Sequence, residues 1–164
     1  MVHLKSKEEL ELIRNSAILL GKTHGEVAKM VRPGIKTSEL DQVAEAFIRD
    51  HGGKPSFKNY RGFPATLCIS VNEVVVHGFP GKYELKEGDV IAVDCGVQLQ
   101  GYHSDSAYTY PLPGTRQEVL DLLERTYIDL VGSTKPALVH CLLNGTGCLT
   151  NTAQINLQRS YTTH

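Results

Sequence analysis

Two aspartates, Asp94 and Asp105, are the residues in this chain of 164 whose type and spacing most clearly suggest chemistry. They lie in two apolar segments that are predicted to be strands and that are joined by a short loop around residues 99–101. If facing residue numbers in that hairpin sum to 199, the two carboxylates are directly opposed, with Cβ atoms about 4.5 to 5.5 Å apart. Like charges at that distance repel unless a cation lies between them. The pair is therefore a candidate metal site.

The same spacing also fits a second interpretation. In it, the carboxylates are bonded to backbone amides or to the neighbouring Tyr102, His103 and Ser104. The apolar run before Asp94 suggests a strand buried on both faces, where an uncompensated carboxylate is costly. Partners or cations are therefore expected beside it in either interpretation.

The composition of the whole chain is typical of a one-domain globular protein. A formal net charge of −1 gives no field that would attract nucleic acid or membrane, and no apolar stretch reaches the roughly 18 residues of a membrane span. Because the first residues also lack an apolar signal region, a cytoplasmic location is the expectation. Cys68, Cys95, Cys141 and Cys148 form no C-x-x-C pair, which favours reduced thiols over disulfides or a structural zinc site.

Three helices are predicted to position the aspartates. Ser6 and Glu9 form a capping box for a first helix that ends at Pro33 and Gly34. Thr37 or Ser38 caps a second helix, which stops at residues 52–53, and both helices should cover a sheet. Thr115 caps a third helix. The apolar stripes of the first two helices consist of Leu10, Ile13, Ala17, Leu20, Val27 and Val31, and of Leu40, Val43, Ala44, Phe47 and Ile48.

The predicted sheet contains two further strands before the aspartate hairpin, over residues 65–71 and 74–79, with His77 near the end of the second. Residues 54–64 form a loop rich in Pro, Gly and aromatic residues, and the hairpin ends at Pro111 and Pro113. Beyond about Arg125 the pattern weakens, and residues 127–164 read as a poorly specified tail.

Three motifs in order give the chain a resemblance to a known family. They are Cys-Ile-Ser-Val-Asn-Glu at 68–73, His-Gly-Phe-Pro at 77–80, and the two aspartates eleven positions apart. Over residues 1 to about 126 the chain resembles a type I methionine aminopeptidase. The aspartate pair alone is shared with the wider creatinase-like superfamily, including proline-specific peptidases, so residues 63–80 carry the finer assignment.

The resemblance implies an α+β protein with the pita-bread fold, in which a curved antiparallel sheet is covered by helices. It implies metal-dependent removal of the initiator methionine from nascent proteins, with two divalent ions from among Co, Mn, Fe and Zn. By motif, Asp94 binds one ion and Asp105 bridges both. Such ions lower the pKa of a shared water and polarise the scissile carbonyl, and oxygen ligands admit several metals.

The resemblance also assigns roles near the substrate. His77 matches a histidine that hydrogen-bonds or gives a proton to the reacting amide. Phe57, Tyr60 and Phe63 match the walls around the methionine side chain. Without the resemblance, His77 would be read as a structural residue and the aromatics as loop residues packed on the sheet. Cys68 is expected in packing, and Cys95, which alternates to the face opposite Asp94, in the core.

A complete site of this family needs a histidine in a Gly-His-Gly segment and two later glutamates, none of which this sequence contains; no glutamate follows Glu124. His140 is a weak candidate replacement because a histidine in an apolar run is usually structural. Residues 1–126 are therefore expected to be the N-terminal half of a pita-bread domain, and 127–164 an unmatched tail that is frame-altered or divergent. The predicted enzyme is incomplete and impaired. The expected partners are nascent peptide N-termini, possible ribosome contacts and self-association; the alternative is a noncatalytic peptide- or partner-binding protein.

Overall fold

The computed structural model describes residues 4–132, and the predictions for later residues, including His140, lie outside that range. None of the described helices is long and apolar enough to cross a membrane. The helices are α1 (Lys7–Met30), α2 (Thr37–Asp50) and α3 (Gln117–Gly132), and a 3-10 turn spans Tyr60–Gly62. The strands are β1 (Lys54–Pro55), β2 (Leu67–Val71), β3 (Val90–Leu99) and β4 (Tyr102–Pro111).

The sheet is antiparallel and is organised around β3. One side of β3 pairs with β1 near Gln98 and with β2 from Ile91 to Cys95. The other side pairs with β4 along its whole length, and β4 pairs with no other described strand. An α+β arrangement with an antiparallel sheet covered by helices, as the sequence predicted, is thus confirmed.

The two faces of β3 differ because one of them joins the core with α1, which packs directly on β3, and with α2, which packs on β1 and β2. Ile91, Val93, Cys95 and Val97 are fully buried beneath these helices, as expected for Cys95. Asp94 points to the opposite face and is half-buried, so the prediction of a strand buried on both faces is wrong. We call this opposite face, which carries Asp94 and Asp105, the site face.

The helix starts follow the predicted capping only in part. At α1 the Glu9 amide donates to Ser6 Oγ at 3.2 Å and the Ser6 amide donates to the Glu9 carboxylate at 2.8 Å, which confirms the capping box. α1 ends at Met30, before the predicted Pro33 and Gly34.

The predicted caps of the other two helices are not those that form. α2 has Lys36 as its N-cap, whereas Thr37 is the first helical residue and its hydroxyl tethers Gly81. α3 begins at Gln117 rather than at the predicted Arg116, and the Thr115 hydroxyl donates to the Leu112 carbonyl at 2.7 Å. In both cases the threonine hydroxyl is committed to a connecting loop.

The hairpin register differs from the predicted one by two residues. Gln100 and Gly101 form a two-residue turn with φ of 53° and 85°, and Leu99 pairs with Tyr102. Positive φ at both turn positions matches the twist of the strands, which favours this turn over one placed a residue earlier. Asp105 therefore lies opposite Gly96 rather than opposite Asp94. A two-residue shift keeps both aspartates on the same face.

The predicted strand over residues 74–79 does not form, and these residues belong to an irregular loop between β2 and β3. Val74, Val75 and Val76 are exposed, Val75 to 85%. The Gly78 carbonyl accepts from the Ile69 amide of β2, but no ladder extends from that bond in the described residues, so high strand propensity was not sufficient here. His77, predicted near a strand end, instead has φ of 57° within this loop.

Candidate metal centre

Asp94 and Asp105 lie diagonally across the β3–β4 pair on the site face. Asp94 is directly opposite Ala107, and Asp105 is directly opposite Gly96. Their carboxyl groups are close enough to interact, because the charge of Asp105 raises the pKa of Asp94. The Asp94 oxygen Oδ1 is buried and has no hydrogen-bond partner. The structure therefore brings the two predicted ligands together, although not in the predicted register.

The electrostatics of the pair are those of two carboxyls that cannot both ionise easily. Burial, followed by the charge of Asp105, raises the pKa of Asp94 to about 7. Burial of its carboxyl group also raises the pKa of Asp105, although the residue as a whole is exposed. A cation would relieve both the desolvation and the repulsion. The pair therefore has the electrostatics of a candidate cation site.

Cys68 is the neighbour of the pair that the sequence placed only in packing. It is buried and lies directly opposite Asp94 in the β2–β3 register, so its side chain is on the site face. Burial and the charges of Asp94, Asp105 and Asp41 raise the pKa of its thiol to about 11. The thiol therefore stays protonated at neutral pH. To find this position from the sequence, one would have needed both the alternation of side chains along β3 and the register in which β2 pairs with it.

The fit of this site to a metal ion is partial. The unpartnered Asp94 Oδ1 and the hard oxygen donors suit a divalent cation. Within residues 4–132, however, no group of three or more His, Cys, Asp or Glu side chains is placed to hold an ion together. Asp94 and Asp105 therefore remain two candidate ligands, and the described residues place no third His, Cys, Asp or Glu beside them.

The predicted substrate walls differ in how closely they approach this pair. Phe57 contacts the backbone of Gly96, the residue opposite Asp105, because a Cβ built on Gly96 would lie 2.6 Å from the Phe57 ring. Phe63 makes an edge contact with Phe57, with ring centroids 6.5 Å apart, and stacks on Phe79 at 5.3 Å. We call Phe57, Phe63 and Phe79 the aromatic row. The Tyr60 side chain is 63% exposed, and its ring contacts Arg61 rather than this row.

His77 precedes a point where the loop docks on β2. The Ile69 amide donates to the Gly78 carbonyl at 2.8 Å, and the Gly78 amide donates to Ser70 Oγ at 3.1 Å. His77 itself is exposed. Since Phe79 stacks on Phe63, the aromatic row joins the His77 loop to the site face. The structure thus places the loop of His77 at the edge of β2, the strand that carries Cys68.

A second anchor for this loop was not predicted. Asp89 accepts hydrogen bonds from Asn72 Nδ2 at 2.9 Å, from the Tyr83 hydroxyl at 3.0 Å and from the Lys86 amide at 2.8 Å. Burial alone would raise the pKa of Asp89, but these bonds outweigh it and lower that pKa. Asn72 also bridges to Val90, accepting from its amide at 3.0 Å. The loop is therefore closed at its base by polar contacts.

This chain belongs to metallopeptidase family M24, whose sequence profile matches residues 11–141. Its relatives include methionine aminopeptidases. The enzyme of Clostridium perfringens is 51% identical over 126 residues, and methionine aminopeptidase 1 of Bacillus subtilis is 48% identical over 126 residues; each alignment covers 77% of this chain and 51% of the relative. The crystal structure of methionine aminopeptidase from Rickettsia prowazekii superposes with a TM-score of 0.77 at 29% identity, covering 80% of this chain and 53% of that one.

These comparisons confirm the resemblance and the pita-bread fold that were inferred from residues 63–105. The chain spans about half the length of the curated relatives it matches. The family is one of metallopeptidases, which agrees with a carboxyl pair suited to a divalent cation. The roles of individual residues rest on the geometry described above.

Proposed function

We propose that this chain carries the N-terminal half of a methionine aminopeptidase site, which acts on the N-terminal methionine of nascent peptides. The observation that carries the proposal is the placement of Asp94 and Asp105 on the site face, diagonally across the β3–β4 pair, with the buried Asp94 Oδ1 left without a partner. A buried acceptor without a donor lowers the stability of the fold, so its presence calls for a functional explanation. The methionine aminopeptidase relatives, up to 51% identical, indicate which function.

In this proposal each group has one task. Asp94 and Asp105 hold the divalent metal, which when bound supplies an activated water and polarises the scissile carbonyl. The metal is Co, Mn, Fe or Zn, with two ions in a complete site. His77 donates a hydrogen bond or a proton to the reacting amide. Phe57 and Phe63 contact the methionine side chain, and Tyr60 closes the outer end of that pocket.

The direct experiment measures metal binding and peptide cleavage separately. Isothermal titration of the purified chain with Mn²⁺ or Co²⁺ should show binding that Asp94→Asn and Asp105→Asn each abolish. Release of methionine from the peptide Met-Ala-Ser is then compared with the same two variants as blanks. Metal binding without release supports a half-site that lacks activity. Absence of metal binding in the natural chain would contradict the metal roles of both aspartates.

A second candidate is a noncatalytic pita-bread protein that binds peptides or another subunit. The observation that favours it is that residues 4–132 hold no group of three metal ligands. A peptide beginning with methionine, immobilised on a resin, separates the two functions. A binding protein retains the same affinity after metal depletion and restoration, whereas the half-site proposal requires affinity to rise with metal.

Partners and location follow from the same features. We infer self-association, because β4 pairs only with β3 among the described strands and Val75, Val76 and Phe79 are exposed. Sedimentation velocity over a range of concentrations would contradict this if the chain stayed monomeric. We also propose nascent peptides as the substrate and a contact with the ribosome, where those peptides emerge. The cytoplasmic expectation is supported by the free, buried thiols of Cys68 and Cys95.

The boundary near residue 126 is likewise a proposal. It rests on the missing Gly-His-Gly segment and on the absence of glutamate after Glu124. The coding DNA around codon 126 tests it. An alternative frame that encodes Gly-His-Gly and two later glutamates would identify residues 127–164 as a frame-altered tail. If no such frame exists, divergence explains the tail.

A further inference from the structure

Gly96 is buried on the site face because an aromatic ring covers it. It lies two residues after Asp94 on β3 and directly opposite Asp105 on β4. A Cβ at this position would lie 2.6 Å from Phe57 Cε1 and 3.1 Å from Phe57 Cδ1. Directly opposed Cβ positions are about 4.5 to 5.5 Å apart, so the ring occupies the space beside the Asp105 side chain.

Ser56 holds this arrangement from two directions. Its amide donates to the Gly96 carbonyl at 2.9 Å, which continues the β1–β3 pairing beyond Pro55. Its hydroxyl is 2.9 Å from Nδ1 of His103, which is on β4 two residues before Asp105. The Ser56 Cβ would itself be 2.9 Å from a Cβ at Gly96. The backbone that carries Phe57 is therefore held to both strands of the β3–β4 hairpin. It cannot easily move away from Gly96.

We propose that Gly96 is a specificity-determining position: its missing side chain allows Phe57 to lie beside Asp105 and form the inner wall of the methionine pocket. This inference rests on the proposed function and deepens it. Any side chain at position 96 displaces the ring, and because Phe57 contacts Phe63, the displacement reaches the rest of the aromatic row. Selectivity for a long thioether side chain then falls, whereas binding of the divalent ion by the two aspartates does not.

The test uses the full chain labelled with 4-fluorophenylalanine. Its four phenylalanines include Phe47, which lies in α2, packs on His51 just beyond the helix and serves as an internal reference. Methionine amide and alaninamide are titrated at constant Zn²⁺, and ¹⁹F spectra give the ratio of their dissociation constants. Gly96→Ala should lower the preference for methionine amide about tenfold, the scale of losing good contact in an apolar pocket. Gly81→Ala is the matched control, since a Cβ there meets only the Phe79 carbonyl at 4.0 Å.

Phe57→Ala and the double variant with Gly96→Ala complete a cycle. Phe57→Ala should also lower the preference, and adding Gly96→Ala to it should not lower the preference further, although the Ser56 Cβ still opposes a side chain at position 96. If Gly96→Ala alone fails to fold, Phe57→Ala decides: a lowered preference supports the proposal and an unchanged preference overturns it. An unchanged preference in Gly96→Ala overturns the inference alone. No preference in the natural chain overturns the methionine pocket and the inference with it.

Discussion

Replacing Asp94 by Asn should stabilise the metal-free protein and remove its stabilisation by metal. Burial and the charge of Asp105 raise the pKa of Asp94 to about 7, compared with an ordinary value of 3.8. The folded chain therefore binds a proton that the unfolded chain has lost between these two pH values. The unfolding free energy must fall as pH rises through that window, because the unfolded state binds fewer protons there. Asn has the same shape and does not titrate.

The size of the effect follows from the pKa. A difference of roughly 3 pH units corresponds to about 4 kcal/mol if it acted on Asp94 alone. The proton is shared with Asp105, and Asp94 is only half-buried, so water screens part of the interaction. About half that figure, ~2 kcal/mol in favour of Asp94→Asn at pH 8, is the expected difference. At pH 4 the two proteins should be nearly equal in stability.

Urea unfolding followed by circular dichroism measures this difference in EDTA at several pH values between 4 and 8. The same titration is repeated at pH 7.5 with Mn²⁺ or Co²⁺ in place of EDTA. An ion at 100 times its dissociation constant stabilises the folded chain by about 2.7 kcal/mol. The natural chain should show this gain and Asp94→Asn should not. The order of stability of the two proteins is thus reversed by the metal.

Asp89→Asn is the matched comparison, since Asp89 lies one residue before β3 and its three hydrogen-bond donors lower its pKa. An amide there cannot accept from all three donors, and the variant should lose about 1 to 3 kcal/mol at pH 8. Should Asp94→Asn also be destabilised without metal, the carboxyl of Asp94 would be a satisfied structural group. The interpretation of the pair as a cation site would then be wrong.

Three further predictions concern other parts of the fold. Burial lowers the pKa of His24, so the free energy of unfolding should fall below about pH 6.5, where the unfolded chain gains a proton that the folded chain does not. His24→Gln should reduce this loss of stability between pH 7 and pH 5, as measured by urea unfolding. An unchanged loss in the variant would contradict the prediction. Asn72→Ala should cost ~2 kcal/mol through lost loop bonds, whereas the exposed Val75→Ala should cost little, and equal losses in urea unfolding would argue against the anchor. Gly101→Ala should lose about 1 kcal/mol because of its positive φ, whereas Gln100→Gly should be neutral or stabilising; the opposite order of melting temperatures would refute the turn.

The helices, the hairpin and the aspartate pair could be predicted because each depends on local patterns. Ser6 and Glu9 specify the start of α1 within one turn, and the apolar period specifies the face it buries. The register of the hairpin could not be predicted with equal certainty. The sequence around Gln100 and Gly101 permits neighbouring turns, and the choice depends on φ at both positions. Because the error in register was two residues, Asp94 and Asp105 still lie on the same face of the sheet. The prediction that they lie close together was therefore correct.

The contacts around the pair could not be read from the sequence because they join distant segments. Phe57 reaches Gly96 only after β1 has paired with β3, and Cys68 reaches Asp94 only through the β2 register. A glycine inside a strand does signal a close approach, so Gly96 carried a usable clue. It did not identify Phe57 as the group that approaches. For residues 74–79, apolar β-branched residues indicated a strand, but the segment reaches the β2 edge at Gly78 without extending a ladder along it.

The core and the candidate site lie on opposite faces of the same strands, which determines how variants of this protein can be interpreted. Val93 and Cys95 flank Asp94 and are fully buried in the core, whereas Asp94 lies on the opposite face and is not part of that core. A substitution at Asp94 or Gly96 therefore changes charge and packing on the site face without opening a cavity in the core. Because the core is independent of the carboxyl pair, stability and metal binding can change in opposite directions. A gain in stability on losing a carboxylate would be the physical signature of a site maintained for function at a cost to the fold.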